Sequence, residues 1–547
     1  MFRRFALLLI APLIAGAVTQ PAPTISGVYN AGSFRSPGMS AAGIAQGSIF
    51  TLFGSNLGPA TCNQAFGFPV PTNVCGVSLT VTVNGTSVSP PILGVFYADQ
   101  INAILPSLTP TGDNGTITVA YNNQTSATFP IQVVTSAFGE FTPAEAVGQA
   151  SVTDVNYNLN TIIHTLHPGD IGILWGTGLG PISGSDAVSP PFGNVGSPTV
   201  YVGNTAVTPS SGLLYAGRSG SWPGLDQINF TVPPGVQGCY VPIAVQAGGV
   251  VGNIGTIAVA PAGQNTCSDS VLGQTLINKL AAGGNVNFGY IRLESRVAGF
   301  SNAIEAGKAN DGDVAWATFS GFTPQTAYNA EYGVSSGYCV TSEYNAPADM
   351  SIAQLDAGVG LTLQGPLVSP GPLAPSSPGS GFYYIFLGSS GKYIYSVEPY
   401  TMIGTGGANV GAFSAHDTTS LPGVELSGIN VNQAIPRTSD LTVQWAGGNP
   451  ALQNGQVTIG AYSYSSDFTQ GAELRCTAPL AAGKFVIPAW VLSTMPVTGM
   501  AQSGSLTYPL GELWIGQYNN PTPFTVPGLD GGIMTDIFFL GRLLTFD

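Results

Sequence analysis

Apolar and polar positions alternate with a period of two through most of this chain, which is the signature of half-buried β-strands. VSLTVTV at residues 77–83 alternates cleanly and runs into Asn84-Gly85, the strongest short hairpin signal available. TITVAY at 116–121, the turn Asn122-Asn123 and ATFPIQVV at 127–134 continue the pattern. In the second half, residues 288–295, 314–319, 382–387, 441–445, 456–463, 484–487 and 533–546 read as strands. One stretch breaks the rule. In DSVLGQTLINKLAA at 269–282, Val271, Leu272, Leu276, Ile277 and Leu280 share a side, with Ser268 or Asp269 as N-cap, and one short helix is expected. The Pro/Ser/Gly-rich LVSPGPLAPSSPGS at 367–380 reads as a long loop or hinge.

The first half says the same thing twice. IAQGSIFTLFGSNLGP (44–59) is answered by LHPGDIGILWGTGLGP (166–181), sharing Gly47/Gly169, Ile49/Ile171, Leu52/Leu174, Gly54/Gly176, Leu57/Leu179, Gly58/Gly180 and Pro59/Pro181. VTVNGTSVSP (81–90) is answered by VYVGNTAVTP (200–209), and DQINAILP (99–106) by LDQINFTVP (225–233). Three blocks in one order mean a duplicated domain. In each copy the Gly-rich turn after the first strand is expected to use glycine for its positive φ. The second copy carries a longer Gly/Ser-rich loop at 210–222; loops that vary on a repeated framework are where binding would reside. The expected fold is all-β: tandem immunoglobulin-like sandwiches at 24–138 and 139–262, followed by a larger β-sandwich region with one short helix at 266–547. An alternative reading splits that region into two subdomains near 365–380 or 430.

Composition narrows location and partners. With 547 residues the chain exceeds one core. Its charged fraction is 7%, against a usual ~25%, so its surface is built from neutral polar residues. A net charge of −14 with 13 scattered Lys and Arg excludes nucleic acid as a natural partner. Residues 1–17 read as a secretory signal, with Arg3 and Arg4, an apolar run and Ala15-Gly16-Ala17, and no later run is long enough for a membrane span. Export makes disulfides the expected use of the six cysteines. Six allow 15 pairings; the simplest keeps pairs within domains, Cys62–Cys75, Cys239–Cys267 and Cys339–Cys476.

NAGSF (30–34), IAQGSIFTLFGSNLGP, VTVNG and YADQINAILP together resemble a paralogous extracellular domain of Acidobacteria such as Solibacter, related to IPT/TIG immunoglobulin-like modules. The resemblance is good over 24–138 and weaker over 139–262, where WGTGLGP replaces FGSNLGP. Phrases of the second half, GTGGANVGAFSAHD, LTVQWAGG and CTAPLAAGKFVIPAWVL, resemble uncharacterised exported acidobacterial proteins. The resemblance implies fold and an extracellular location, and no chemistry.

Candidate chemistry is sparse. Asp99 and Asp226 precede Gln-Ile-Asn in both copies, as ligand carboxylates or, more simply, as bonds to turn backbone. Asn310-Asp311-Gly312-Asp313 is a weak calcium candidate through Asp311 and Asp313, set against a plain turn. Glu294, Glu305, Glu331, Glu343 and Glu512 could supply a glycosidase pair. His416-Asp417 lacks a nucleophile elbow. The best binding candidates are aromatic, Tyr383, Tyr393, Tyr395, Tyr462, Tyr464, Trp514 and Tyr518, whose rings could stack on sugars or simply pack in cores. The sequence therefore favours an exported, non-catalytic protein without cofactor. Its repeats would form a stalk, and its C-terminal region would contact polysaccharide, cell wall or a surface protein. A secreted hydrolase and a purely structural envelope protein are the alternatives.

Overall fold

A computed structural model describes residues 21–547 apart from 63–66, 144–147, 191, 298–311, 327–332, 344–351, 367, 376, 378, 389–393, 395–398, 418–422, 449–454 and 519. The leader at 1–17, Tyr393, Tyr395, Asp311, Glu305 and Glu331 lie outside the described residues. The chain is mostly β, with immunoglobulin-like sandwiches at its N-terminal end. In the first repeat, the strands Thr24–Asn30, Ile49–Ser55, Gln100–Ile104 and Ile92–Phe96 form one sheet. It packs on a second sheet built around Val77–Val83, Gly112–Tyr121 and Phe129–Val134. The second repeat uses the same plan. Ile171–Thr177, Asp226–Thr231 and Leu213–Arg218 face Thr199–Val202, Gly238–Ala247 and Val250–Val259 across a core of Leu174, Ile228, Phe230, Val241 and Ile243.

The repeated residues have physical reasons. In the signature turn the left-handed position is Asn56 in one copy (φ 55°) and Gly178 in the other (φ 105°), the two residue types that tolerate it best. Gly54 and Gly176 serve close approach instead of the expected positive φ. A Cβ on Gly54 would lie 1.9 Å from the Thr24 carbonyl oxygen, and one on Gly176 would lie 2.4 Å from that of Gly139. Asn84 and Gly85 both adopt positive φ, closing the expected hairpin.

The NAGS block turns out to be a latch between the repeats. Asn30 Oδ1 accepts from the Gly32 and Ser33 amides, and its Nδ2 donates to Ala137 O and, at 3.4 Å, to Thr177 O of the second repeat. Thr177 Oγ1 accepts from Ile49 N and donates to Gly224 O. Ser107 N and Oγ donate to the buried Asp186. At the centre, fully buried Arg218 is ion-paired to Asp226 and donates through Nη2 to the carbonyls of Gly47 and Gly180. Asp226 also accepts from Leu179 N. Its role is thus the backbone-bonding one, with an arginine added, whereas Asp99 is exposed.

In the C-terminal region one large sheet runs, in order, through Tyr338–Glu343, Gly471–Pro479, Gln456–Tyr464, Gly511–Tyr518, Gly531–Phe546, Val286–Val297, Gly312–Phe322 and Phe382–Gly388. It then continues through Val368–Pro375, Leu361–Gly365, Tyr400–Gly404 and Phe413–Asp417. The expected loop at 367–380 thus contains a strand, because it pairs on both sides. The strands flanking 365–380 belong to this same sheet, and so does Gln433–Ile435 just beyond 430, which pairs with Gly531–Phe546. A smaller sheet of Val424–Ser427, Leu441–Gly447 and Lys484–Ile487 covers one end of its inner face. The predicted helix is Gly273–Ala281, with Asp269 Oδ1 capping the amides of Val271 and Leu272 one turn earlier; a second helical turn, Ala489–Leu492, was not expected.

The repeats and the C-terminal region share contacts. Met39, Ala244, Val251 and Ile254 enter the core built by Val457, Ile459, Leu513 and Ile515. The rings of Tyr201 and Trp490 stack at 4.6 Å. Arg35, 4% exposed, donates to Gly252 O and Thr494 O and pairs with Glu343, which also accepts from Ser36. The disulfides are Cys62–Cys75, Cys239–Cys267 and Cys339–Cys476.

Removing one partner of a buried ion pair leaves an uncompensated charge, so Arg218→Met should cost ~3–5 kcal/mol in denaturant unfolding. The double variant Arg218→Met/Asp226→Leu should recover most of it. A second prediction concerns Glu140, buried at the same junction. Burial pushes its carboxyl well above the ordinary 4.5, against the backbone amide of Gly255 and the charge of Arg35, itself held by Glu343. The unfolded carboxyl ionises near 4.5 while the folded one keeps its proton, so stability is lost as pH rises from there to the folded value. Glu140→Gln should flatten this slope and raise the thermal midpoint at neutral pH.

Candidate functional site

Strand alternation sorts the aromatic candidates. Odd-numbered Tyr383 points inward, is fully buried, and holds Ala357 N and Gly358 O through its hydroxyl, so it belongs to the core and not to a ligand surface. Its neighbours Phe382, Tyr384 and Phe386 point the other way and are exposed. That outer face is shared across six strands, because the register places Tyr384 opposite Trp316, and Trp316 opposite Arg292. Arg292 in turn lies opposite Thr535, and Trp514 lies opposite Gly541 and Gly460. Tyr462, Tyr464, Trp514 and Tyr518, named from sequence, all sit on this face.

The contacts form a continuous diagonal strip. Phe468 and Tyr464 lie 5.9 Å apart between centroids, and Tyr464 and Tyr462 lie 5.6 Å apart. Trp514 meets Phe539 edge-on at 4.5 Å. Arg292 then spans the middle, with its guanidinium 5.8 Å from the Phe539 ring, 5.6 Å from Tyr518 and 4.9 Å from Trp316. Trp316 contacts Tyr290 at 5.2 Å and Phe382 at 6.4 Å. Six strands at about 4.8 Å spacing make the strip some 24 Å wide. Glycines leave room for the large groups to lean over the neighbouring strands. A Cβ on Gly460 would lie 1.9 Å from the Trp514 ring, and one on Gly516 would lie 2.6 Å from Phe539.

The charges of the face are paired off. Glu294 is ion-paired to Arg292 and Arg296 and accepts from Trp316 Nε1 at 2.7 Å. Burial would raise its carboxyl, but Arg292 and Arg296 outweigh burial and hold it below the usual range. Arg475 pairs with Glu473. Tyr462 donates to Glu512, and burial followed by that carboxylate pushes its phenol up. Glu294, Glu512 and Phe539 are themselves buried, so what the face offers solvent is the exposed or half-buried rings of Phe382, Tyr384, Trp316, Trp514, Tyr518 and Tyr464 with the partly exposed guanidinium groups of Arg296 and Arg475.

The remaining candidates are structural or apart. Asp313 is buried and accepts from Ile394 N, so its carboxylate serves the backbone and not a calcium ion. Among the described residues no group of three His, Cys, Asp or Glu is placed to hold a metal. His416 and Asp417 alternate to opposite faces of their strand, His416 lying between Thr401 and Ser414 hydroxyls. Sequence reasoning missed Tyr290, Arg292, Trp316 and Phe539, and from the cluster Phe382-Tyr383-Tyr384 it kept the one ring that points inward. The signal was there in the every-second-residue run Tyr290, Arg292, Glu294, Arg296 and in Trp514, Gly516, Tyr518.

No family model matches the chain, and no curated protein matches it. Among solved structures, one similarity is to a tetra-tandem repeat in the extending region of a large adhesion protein. It has 13% identity, covers 96% of this chain and 100% of that one, and has a TM-score of 0.13. Another is to SGBP-B of the Bacteroides ovatus mixed-linkage glucan utilization locus, in complex with a mixed-linkage heptasaccharide. Its identity is 11%, its coverage 86% and 92%, and its TM-score 0.13. A third is to domains 4–9 of the surface layer protein SbsC, with 10% identity, coverage of 93% and 83%, and a TM-score of 0.17. At these values the likenesses carry no argument about this chain's role.

Gly460→Ala should test whether the lean of Trp514 over the neighbouring strand depends on that glycine. The added methyl cannot share space with the indole, so we expect ~1–3 kcal/mol of destabilisation and a changed tryptophan emission. An unchanged emission would mean the ring does not rest there.

Proposed function

We propose that this chain is an exported, non-catalytic protein that binds polysaccharide on the outer face of its C-terminal sheet. The two repeats, a branch of the acidobacterial extracellular modules they resemble, would be a stiff support. The observation that carries this is the continuous strip from Tyr464 through Trp514, Arg292 and Trp316 to Tyr384. Pyranose rings have apolar faces and polar edges, and a run of aromatic rings interleaved with polar groups complements both. The three arginines of the strip are balanced by Glu294, Glu473 and Glu512, which suits a neutral glycan better than an acidic one.

The placement of Glu294 relative to Glu512 supports the non-catalytic reading. Glu512 lies opposite Leu543 and Glu294 opposite Ile537, so along that strand they are offset by roughly 20 Å, against the ~5–10 Å a glycosidase needs. A carboxyl held charged by two arginines is also a poor general acid. Glu343 is committed to Arg35 and Ser36. Three disulfides and a leader-like N-terminus support an oxidising compartment. Among the described residues no helix is long and apolar enough to cross a membrane.

The test is depletion of the full-length protein from solution by insoluble cellulose, chitin, xylan or peptidoglycan, with sugar release assayed in parallel. Retention without release is expected, and Trp316→Ala or Tyr384→Ala should each weaken it about tenfold, equivalent to ~1.4 kcal/mol. Sugar release, or retention indifferent to both variants, would overturn the reading.

A further inference from the structure

A second row of aromatic rings stands at the seam between the two repeats, far in sequence from the C-terminal strip. Phe68, in the loop closed by Cys62–Cys75, lies 6.1 Å from Trp222 of the second repeat. Phe192 lies 6.5 Å from Tyr215. Gly220, two residues before Trp222, packs beneath Phe192, where a Cβ would come within 2.5 Å of the ring, and so joins the two pairs into one row. Phe68, Trp222 and Phe192 are 51%, 50% and 72% exposed, and it is their grouping, not the exposure of any one of them, that sets them apart.

The backbone beneath the row is held in place. Val70 N donates to Ala187 O across the seam at 2.6 Å, and Ser189 Oγ donates to Ser221 O. Trp222 N donates to Ser219 Oγ, and the Tyr215 hydroxyl donates to Arg218 O at 2.5 Å. A surface whose backbone is already in place loses less freedom on binding, which is how preorganised sites gain affinity.

Charge and area identify the occupant. The segments 67–70, 186–193 and 214–224 carry charge only at Asp186 and Arg218, both buried and committed to Ser107 and Asp226. In a chain of net charge −14, this uncharged surface offers an ionic ligand nothing to pair with. The exposed ring area is a few hundred Å2, well short of the ~800 Å2 per partner of a stable protein interface. Exposed rings bordered by serine hydroxyls match a neutral sugar chain instead. We propose that the seam is a second binding site, which takes the apolar faces of a neutral polysaccharide independently of the C-terminal strip.

The experiment uses the full chain with both surfaces varied. The pair Phe382→Ser/Tyr384→Ser disables the strip at exposed positions, and Phe192→Ala/Trp222→Ala disables the seam. Depletion is measured on insoluble cellulose, xylan and chitin, with thermal midpoint as the folding control. The strip-disabled protein should still be retained by at least one of them, and adding the seam substitutions should cut that retention at least tenfold at unchanged midpoint. Retention that follows the seam and ignores the strip would uphold this proposal while overturning the strip reading. The seam proposal is overturned if its substitutions change retention in neither background, or if the strip-disabled protein is retained by none of the three. A Trp222-dependent dimer in sedimentation would overturn it in favour of a second copy.

Discussion

The guanidinium of Arg218 is the point on which the N-terminal half depends. It is fully buried between two repeats, and a buried charge is tolerated only when its partners are supplied in place. Here they come from both repeats: the Asp226 carboxylate and the Gly180 carbonyl from the second, the Gly47 carbonyl from the first. Gly47 must be glycine for this to work, since a Cβ there would lie 2.3 Å from Arg218 Nη2. The most regularly repeated residues of the chain therefore do two jobs, turning their own module and receiving its neighbour. The aromatic row at the seam exists only because the seam is fixed.

The C-terminal region solves a different problem with the same chemistry of small residues. A wide sheet with one face in the core leaves the other face to be furnished, and bulky rings standing upright on it would be mobile. Gly460, Gly516 and Gly541 open slots into which Trp514, Phe539 and Glu512 lean. Arg292 fills the space between three rings, and its charge is returned by Glu294. The result is a surface of fixed composition that still presents polar edges. Fixed geometry with mixed polarity is what sugar recognition requires, and acid–base catalysis would require the carboxylates to be freer than these are.

Much of the architecture was legible because β-alternation and duplication are local signals. Residues 77–83 form a strand with the bounds expected, and the three cysteine pairs are those expected, although Cys239–Cys267 crosses from the second repeat into the next region. The strands at Gly471–Pro479 and Gly511–Tyr518 were missed because charge and glycine interrupt their apolar run, GAELRCTAP and GELWIGQY. Tyr383 was chosen and Tyr384 passed over because clustering of aromatics was read without its phase. A strand sends neighbours to opposite faces, so only one of FYYIF's alternating sets can meet a ligand. The strip itself is a register property. Nothing local says that Trp316 faces Arg292, since the pairing is decided by which strands lie side by side.

The repeats and the C-terminal sheet are also not independent beads. Tyr201 stacks on Trp490, Arg35 reaches Thr494, Met39 enters the C-terminal core, and Cys239–Cys267 ties the second repeat to the start of the helix-bearing segment. A flexible linker between two weak sites dilutes the second site by the volume its end explores, whereas sites on one packed body keep a fixed separation. Two sugar-binding surfaces on such a body would favour one long chain or a fibre surface over soluble oligomers. A short oligosaccharide can reach only one of them. Shortening the ligand should therefore cost far more affinity than the loss of any single ring.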